Sequence, residues 1–194
     1  MAQLESLSQN YSFSYEQKWI FPVQGSGLSD VDGKNGDSYQ PDIVYGASLI
    51  KGYNFFDGNN HGGHPALDIF IRDSDQDCLD DRTHKPVAAV AVVDCLVLGT
   101  HSGWQSGSKL RGGNVAWLYN PNLQMIFYYA HLDKVMVKPG QFLKAGEVVG
   151  TVGRTGFSAE RKTSPTHLHL MVLQYQENNL KPFNYYTILK DSAK

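Results

Sequence analysis

The chain has few cysteines, no long apolar run and no concentration of charge of one sign. Only two of its 194 residues are cysteines, Cys78 and Cys95, so a disulfide-rich scaffold is excluded. The sequence leaves open whether these thiols form one disulfide, which would indicate an oxidising compartment, or are reduced and buried. No apolar run reaches the length that a helix needs to cross a bilayer, so no membrane span is predicted.

Charge is nearly balanced, with 17 Lys and Arg residues, 19 Asp and Glu residues and a formal net charge of −2. The basic residues form no block or stripe, which argues against nucleic-acid binding by phosphate neutralisation. Residues 1–12 are polar and lack the apolar centre of a signal peptide. If the protein is exported, we therefore expect this sequence to be its mature form.

Turn-forming residues are frequent throughout the chain. Nineteen glycines and eight prolines are spread among many short apolar runs, without a long amphipathic helix. This pattern predicts an all-β or β-dominated single domain built on an antiparallel sheet. We expect an N-terminal extension and loop over residues 1–40 and one globular unit over residues 41–194.

Individual strands are also predicted. Residues 19–23 have the character of a first strand, and residues 86–98 form an apolar run typical of a buried strand. Residues 114–119 and 125–130 flank an Asn-Pro-Asn turn and predict a hairpin. Residues 167–175 predict a further strand.

The last of these strands begins with His167-Leu168-His169. Side chains two positions apart point to the same face of a strand, so His167 and His169 project together. Leu168 and Leu170 then face the core. The two imidazoles are either a functional pair or a chance pair on an exposed face, and the motif by itself does not separate these alternatives.

About a hundred residues earlier, the chain contains His64-x-x-x-Asp68 with Pro65 after the histidine. A proline at that position excludes the middle of a helix, so the motif is a loop that leads into a strand and not a helical zinc motif. Imidazole and carboxylate suit Zn²⁺, and a catalytic zinc usually has three protein ligands and a water. His64, Asp68 and one histidine of the later pair complete such a set.

The order of these motifs is similar to that of the lysostaphin/LytM-type zinc metallopeptidases. His64-x-x-x-Asp68, Tyr129-x-His131-Leu132 and the later His-x-His follow one another as in that family. The Gly-x-x-Gly-x-Thr-Gly pattern of residues 150–156 resembles the turns that precede the last motif. The resemblance covers roughly residues 60–175.

The resemblance implies a role for five side chains. His64, Asp68 and His169 would be the ligands of one catalytic Zn²⁺ ion. His131 and His167 would be unligated catalytic histidines that orient the zinc-bound water, accept its proton and stabilise the oxyanion. The family fold is an antiparallel sheet with a groove whose floor carries the zinc.

The resemblance also implies a substrate, a location and an alternative function. Family members usually cleave peptide bonds in bacterial peptidoglycan, which places the protein in the periplasm or outside the cell. The alternative is a non-catalytic relative that binds and activates other cell-wall hydrolases. Met171 stands where the family often has a glutamate, but no ligand position is lost. The bond that is cleaved and the oligomeric state are left open.

A second candidate metal site lies in the acidic stretch after the first motif. Asp73, Asp75 and Asp77 alternate like the start of a calcium loop, but Cys78 replaces the required glycine and His84 the final glutamate, which favours a solvated acidic loop.

Tyr53, Tyr128 and Tyr129 are assigned to the core or a groove wall in preference to catalysis. His61 is predicted at the rim of the site. Cys95 lies in an apolar run, where a thiol is usually inert.

Overall fold

The computed structural model describes residues 2–14, 16, 18–45, 48–55 and 62–192, and strands dominate this part of the chain. Its eleven strands are β1 (Ile43–Tyr45), β2 (Ser48–Lys51), β3 (Ala66–Phe70), β4 (Ala88–Val90), β5 (Cys95–His101), β6 (Asn114–Asn120), β7 (Met125–Val135), β8 (Phe142–Leu143), β9 (Val148–Val152), β10 (His167–Gln176) and β11 (Asn179–Pro182). Its helical elements are α1 (Ala2–Ser8), a 3-10 helix (Leu28–Asp30) and α2 (Tyr186–Ser192). None of these helices has the length and hydrophobicity needed to cross a membrane.

Nine of the strands form one sheet in which every pair is antiparallel. β7 pairs with one edge of β10, and β3 and β11 share the other edge. The sheet continues from β7 through β6 and β5 to β8, while the C-terminal part of β7 pairs with β9. β1 and β2 form a separate hairpin. The predicted antiparallel, β-dominated fold is confirmed, as is the hairpin of β6 and β7.

The sheet is buried on both faces, and β10 divides its side chains between them. Leu168, Leu170 and Val172 belong to the larger apolar cluster. Met171 and Leu173 belong to a smaller cluster. This alternation is the two-residue period of a strand, and it confirms the core positions predicted for Leu168 and Leu170.

The segment before β1 contributes to the larger cluster through Trp19, Val23 and Val31. The strand predicted for residues 19–23 is wrong as a regular strand, because the segment forms one isolated bridge, between Val23 and Ala89. It nevertheless runs beside β4, since Pro22 O accepts the N–H of Val90 and the N–H of Ile20 donates to Val92 O, each at 2.8 Å. Its side chains are buried beside the sheet, which leaves an apolar composition similar to that of a strand.

The apolar run of residues 86–98 is two strands and not one. β4 ends at Val90 and β5 begins at Cys95. Between them, the carboxylate of Asp94 accepts the backbone N–H of Ala145 at 3.0 Å and pairs with the ammonium of Lys144 at 3.0 Å. The connection is as buried as the strands, so its composition gives no sign of the break.

The sequence pattern does not predict α2. This helix has seven residues, of which only Leu189 is buried, so it carries too little periodicity to be recognised. The position predicted for His61 lies outside the described residues.

Candidate metal centre

A cavity of about 470 Å³ opens on the sheet face formed by β3, β6, β7 and β10. Residues after β2 and residues of the loops before β3, β6 and β10 complete its wall. All five side chains assigned to metal binding or catalysis line this cavity: His64, Asp68, His131, His167 and His169.

Pairing of β3 with β10 brings the two sequence motifs together. Asp68 lies directly opposite His169 in the register of these strands, although the two are about a hundred residues apart in sequence. His167 and His169 share one face of β10, as strand geometry requires. That face is not exposed, because it lines the cavity, and His167 is only 6% accessible.

Three side chains meet closely enough to hold a metal ion. Nδ1 of His169 lies 2.9 Å from Oδ1 of Asp68, and Nε2 of His64 lies 3.3 Å from the same oxygen. One ligand atom from each residue lies within 4.8 Å of the other two. Ligands of a tetrahedral zinc are separated by about 3.3–3.6 Å, a range that includes the distance from His64 to Asp68, while the distance from His169 to Asp68 is that of a hydrogen bond. Two imidazoles and a carboxylate are donor types that suit Zn²⁺.

The orientation of His64 also suits a metal ligand. Its Nδ1 lies 3.0 Å from the backbone carbonyl oxygen of Ser38. A carbonyl oxygen only accepts hydrogen bonds, so Nδ1 carries the proton and Nε2 presents a lone pair toward Asp68. A hydrogen bond of this kind fixes the tautomer and the ring orientation of a metal-binding histidine.

His131 and His167 are held in the same way. Their Nδ1 atoms donate to the carbonyl oxygens of Thr155 and Pro165, each at 2.7 Å. Both Nε2 atoms therefore carry lone pairs. The two rings are 4.9 Å apart, and Nε2 of His167 is 3.7 Å from Oδ2 of Asp68, beyond hydrogen-bond distance.

The backbone of β7 turns His131 into the cavity. Tyr129 and Leu132 both belong to the larger core cluster, whereas Ala130 and His131 both line the cavity, so strand alternation is broken at this point. His131 has a left-handed φ of 62° and lies where β7 changes its partner from β10 to β9. A non-glycine residue in this conformation costs about 1–3 kcal/mol and is typical of functional sites.

Gly156 supports this arrangement. A Cβ atom at Gly156 would lie 2.7 Å from Nδ1 of His131 and 2.4 Å from the carbonyl oxygen of Arg111. Its φ of +113° is also one that other residues rarely adopt. Gly156, the last glycine of the motif at residues 150–156, is therefore needed for the close packing of the loop against His131.

The sequence profile of peptidase family M23 matches residues 79–182, which is more than half of the chain. The chain belongs to peptidase family M23. The matched range contains His131, His167 and His169, while His64 and Asp68 lie before it. Asp68 joins the site through the pairing of β3 with β10, and His64 lies just before β3.

Two relatives, a murein hydrolase activator and lysostaphin, are similar to this chain over more than half of its length. The murein hydrolase activator NlpD of Salmonella dublin is 29% identical over 128 residues, which cover 66% of this chain and 27% of the relative. Lysostaphin of Staphylococcus simulans is 32% identical over 122 residues, covering 61% of this chain and 20% of the relative. The chain thus corresponds to about a quarter or less of the length of these relatives.

The fold is shared with a solved structure as well. A LytM structure from Ruminococcus gnavus superimposes with a TM-score of 0.53 at 22% identity, covering 92% of this chain and 62% of the other. The M23 fold of this chain is therefore seen in its tertiary structure and not only in its motifs.

Burial and neighbouring charges set the protonation of the M23 site. Burial lowers the pKa of His131 to about 3, and burial also lowers the pKa of His167. For His64, burial lowers the pKa, but the protonated ring would gain a hydrogen bond to Asp68 and the attraction of its charge, and these outweigh burial, so the pKa is raised. For Asp68, burial raises the pKa, and hydrogen bonds with His169 and His64 outweigh it, so the pKa lies well below its usual range.

The remaining candidates separate into core and wall. Tyr129 is a core residue, since its hydroxyl is buried, donates to Val90 O at 3.0 Å and accepts from Val92 N at 3.1 Å. Tyr53 and Tyr128 line the cavity.

Both cysteines are free thiols, and burial raises the pKa of Cys95 well above its ordinary value, which agrees with an inert thiol.

Sequence reasoning did not find several other parts of the M23 site. Phe55 and Trp117 line the cavity, and their rings form an edge contact with centroids 6.2 Å apart. The carbonyl groups of Ser38, Thr155 and Pro165 orient three of the histidines, but every residue carries a carbonyl, so no sequence signal marks them.

Proposed function

We propose that the chain is a zinc-dependent endopeptidase that hydrolyses peptide bonds in bacterial peptidoglycan. The observation that carries this proposal is the meeting of three metal-ligand side chains and two unligated imidazoles in one cavity. Membership of a peptidase family supports the reaction class. The likeness to lysostaphin and to a murein hydrolase activator supports peptidoglycan as the target.

His64, Asp68 and His169 would hold one Zn²⁺ ion. Bound there, zinc lowers the pKa of a coordinated water and polarises the scissile carbonyl. The orienting contact of His64 keeps its Nε2 available as a ligand. Asp68 supplies the single negative charge of the ligand set and stays ionised because its pKa is lowered.

His131 and His167 would handle the protons of the reaction. Each presents an unprotonated Nε2 to the cavity, held by a 2.7 Å hydrogen bond at Nδ1. A neutral imidazole of this tautomer accepts a proton from the attacking water and, once charged, donates to the oxyanion or to the leaving amine. The lowered pKa of His131 keeps it neutral before the reaction and makes its protonated form a strong donor afterwards.

A second candidate function is activation of other cell-wall hydrolases without catalysis. The likeness to NlpD, a murein hydrolase activator, favours it. The complete ligand set favours the enzyme, because a binding role alone gives no reason to keep three ligands and two oriented histidines together. In either case we expect a periplasmic or secreted protein, with residues 1–40 as an extension of a unit spanning residues 41–194.

The test combines metal content with product identification. Protein purified without chelator should contain about one zinc per chain. It should also release peptides from sacculi of known cross-link type, and mass spectrometry of the muropeptides identifies the bond. His101→Ala is a matched control, because His101 is an exposed histidine outside the cavity.

Two outcomes would decide against the enzyme. One is the absence of stoichiometric zinc, and the other is equal release by the wild type and His169→Ala. If the protein itself releases nothing but increases release by a second wall hydrolase, the activator function is supported instead.

A further inference from the structure

The two walls of the cavity differ in character. One wall is aromatic: Trp117 packs on Tyr128 with ring centroids 4.2 Å apart, and Phe55 contacts Trp117 edge-on. Another part of the lining comes from the loops before β6 and before β10, and includes Arg111 and the serines Ser158 and Ser164. A peptide in the cavity would therefore meet both apolar surface and polar groups.

Among the described residues, Arg111 is a charged lining residue of the cavity without a salt-bridge partner. Apart from the histidines, the charged side chains among the described lining residues are Asp68 and Arg111. Asp68 is engaged by His64 and His169. Within the described part of the chain, no carboxylate lies at salt-bridge distance from the Arg111 guanidinium group, whose side chain is exposed.

The backbone around Arg111 is firmly placed next to His131. The carbonyl oxygen of Gly112 accepts the N–H of His131 at 2.8 Å. A Cβ atom at Gly112 would lie 1.9 Å from the Tyr128 hydroxyl, and one at Gly113 would lie 2.3 Å from Thr155. The backbone next to Arg111 is thus held by close packing, while the Arg111 side chain is exposed.

We propose that Arg111 forms a carboxylate-binding subsite, so that the preferred substrate is a peptide with a free carboxylate close to the scissile bond. The proposal rests on the proposed endopeptidase function. A guanidinium group matches a carboxylate with two parallel hydrogen bonds, which an ammonium group or an amide does not reproduce. Cross-links to diaminopimelate carry such a carboxylate beside the scissile amide, whereas oligoglycine bridges are uncharged along their length.

The experiment compares two substrates that differ only in this charge. They are D-alanyl-diaminopimelate cross-linked muropeptide dimers with the diaminopimelate carboxylates either free or converted to carboxamides. We expect the wild type to favour the free acid by about ten- to a hundredfold in kcat/KM. In Arg111→Gln the ratio should fall to within about twofold of one, and Arg111→Lys should retain part of the preference.

Lys109→Gln is the matched control. Lys109 is an exposed cation of the same loop but does not line the cavity, so its loss should leave the ratio unchanged. The same effect in Lys109→Gln and Arg111→Gln would assign the preference to general charge attraction and overturn the subsite. The side chain of Arg111 is exposed, so its variants should fold, and thermal unfolding checks this.

Binding separates failure of the subsite from failure of the proposed enzyme. Calorimetry of the same two dimers with His131→Ala should show tighter binding of the free acid, and this difference should vanish when Arg111→Gln is added. If no substrate is hydrolysed by the wild type but the Arg111-dependent binding difference is present, the enzyme proposal fails and the subsite stands. Equal binding or hydrolysis of the two dimers, or no interaction with either, overturns the subsite.

Discussion

Two groups of side chains in the described structure have the spacing of a metal site, and they are built differently. The first is His64, Asp68 and His169, and the second is Asp73, Asp75 and Asp81. The first lies on the sheet and faces the cavity, while the second lies in the loop after β3. Proximity of possible ligands is common to both, so proximity by itself does not identify a metal centre.

The acidic group differs because most of its oxygens already have hydrogen-bond donors. Asp73 accepts the backbone N–H groups of Asp77 and Cys78 at 3.0 and 2.9 Å, and the hydroxyl of Thr166 at 2.6 Å. Asp81 accepts the N–H of Ser74 with both oxygens, at 3.1 and 3.2 Å. These bonds close the loop on itself and tie it to the chain just before His167.

The expectation of a solvated acidic loop is therefore wrong for Asp73, which is 8% accessible. Burial raises the pKa of Asp73, but the hydrogen bonds from Thr166 and Cys78 outweigh it, so the pKa is lowered. In the first group, by contrast, the hydrogen-bond or ion-pair contacts of Nε2 of His64 and Nδ1 of His169 within the described residues are with Asp68. The metal centre therefore differs from the acidic group in one respect: its ligand atoms do not already accept hydrogen bonds from backbone N–H groups.

The largest effect is expected when a ligand of the first group is removed. His169→Ala should lose the zinc and lower activity by about 10³-fold or more, because the zinc-activated water is lost. Zinc per chain, measured by mass spectrometry, and muropeptide release report the two effects. Asp75→Ala removes an exposed carboxylate of the second group and should retain both. Loss of zinc in Asp75→Ala would show that the acidic group takes part in metal binding, against this prediction.

The next largest loss of activity is expected for His131→Ala. It removes a proton-transfer group but no ligand, so the rate should fall by about 10²- to 10⁴-fold while zinc content stays the same. Single-turnover rates of the zinc-saturated variant measure the chemical step directly. Activity close to that of the wild type would remove His131 from the mechanism.

A smaller and reversible loss of activity is expected at acidic pH. Histidine ligands must be neutral to bind metal, and the raised pKa of His64 means that protons compete more strongly as the pH falls through that value. His131, with a pKa of about 3, stays neutral through this range. Activity and bound zinc should therefore fall together, and excess zinc should restore activity. Loss of activity with zinc fully bound would assign the transition to another group.

The smallest effect is expected for a substitution in the second group, and it concerns stability and not activity. Asp73→Ala leaves the Thr166 hydroxyl and two N–H groups without their acceptor, so we expect a loss of about 1–3 kcal/mol in the free energy of unfolding. Zinc content should not change. Chemical denaturation measures the loss, and Asp75→Ala, on the exposed side of the loop, should leave the midpoint unchanged. Equal midpoints for the two variants would show that the buried hydrogen bonds of Asp73 contribute no stability.

Local chemistry made much of this protein predictable. The alternation of β10 placed Leu168 and Leu170 in the core and set His167 and His169 on one face. Pro65 excluded a helical zinc motif, and the hairpin of β6 and β7 followed from its turn residues. These features are properties of a few consecutive residues, so they can be predicted without knowledge of the rest of the chain.

Other features were decided only by the tertiary structure. The direction of His131 depends on a left-handed residue where β7 changes partner, against the alternation that the sequence predicts. The contact of Asp68 with His169 depends on the register of β3 on β10. The inward turn of Asp73 depends on Thr166, which lies 93 positions away. By itself the sequence determined which side chains were available and their local periodicity. The fold decided which of them meet, because long-range pairing minimises the free energy of the whole chain and leaves no mark on any short segment.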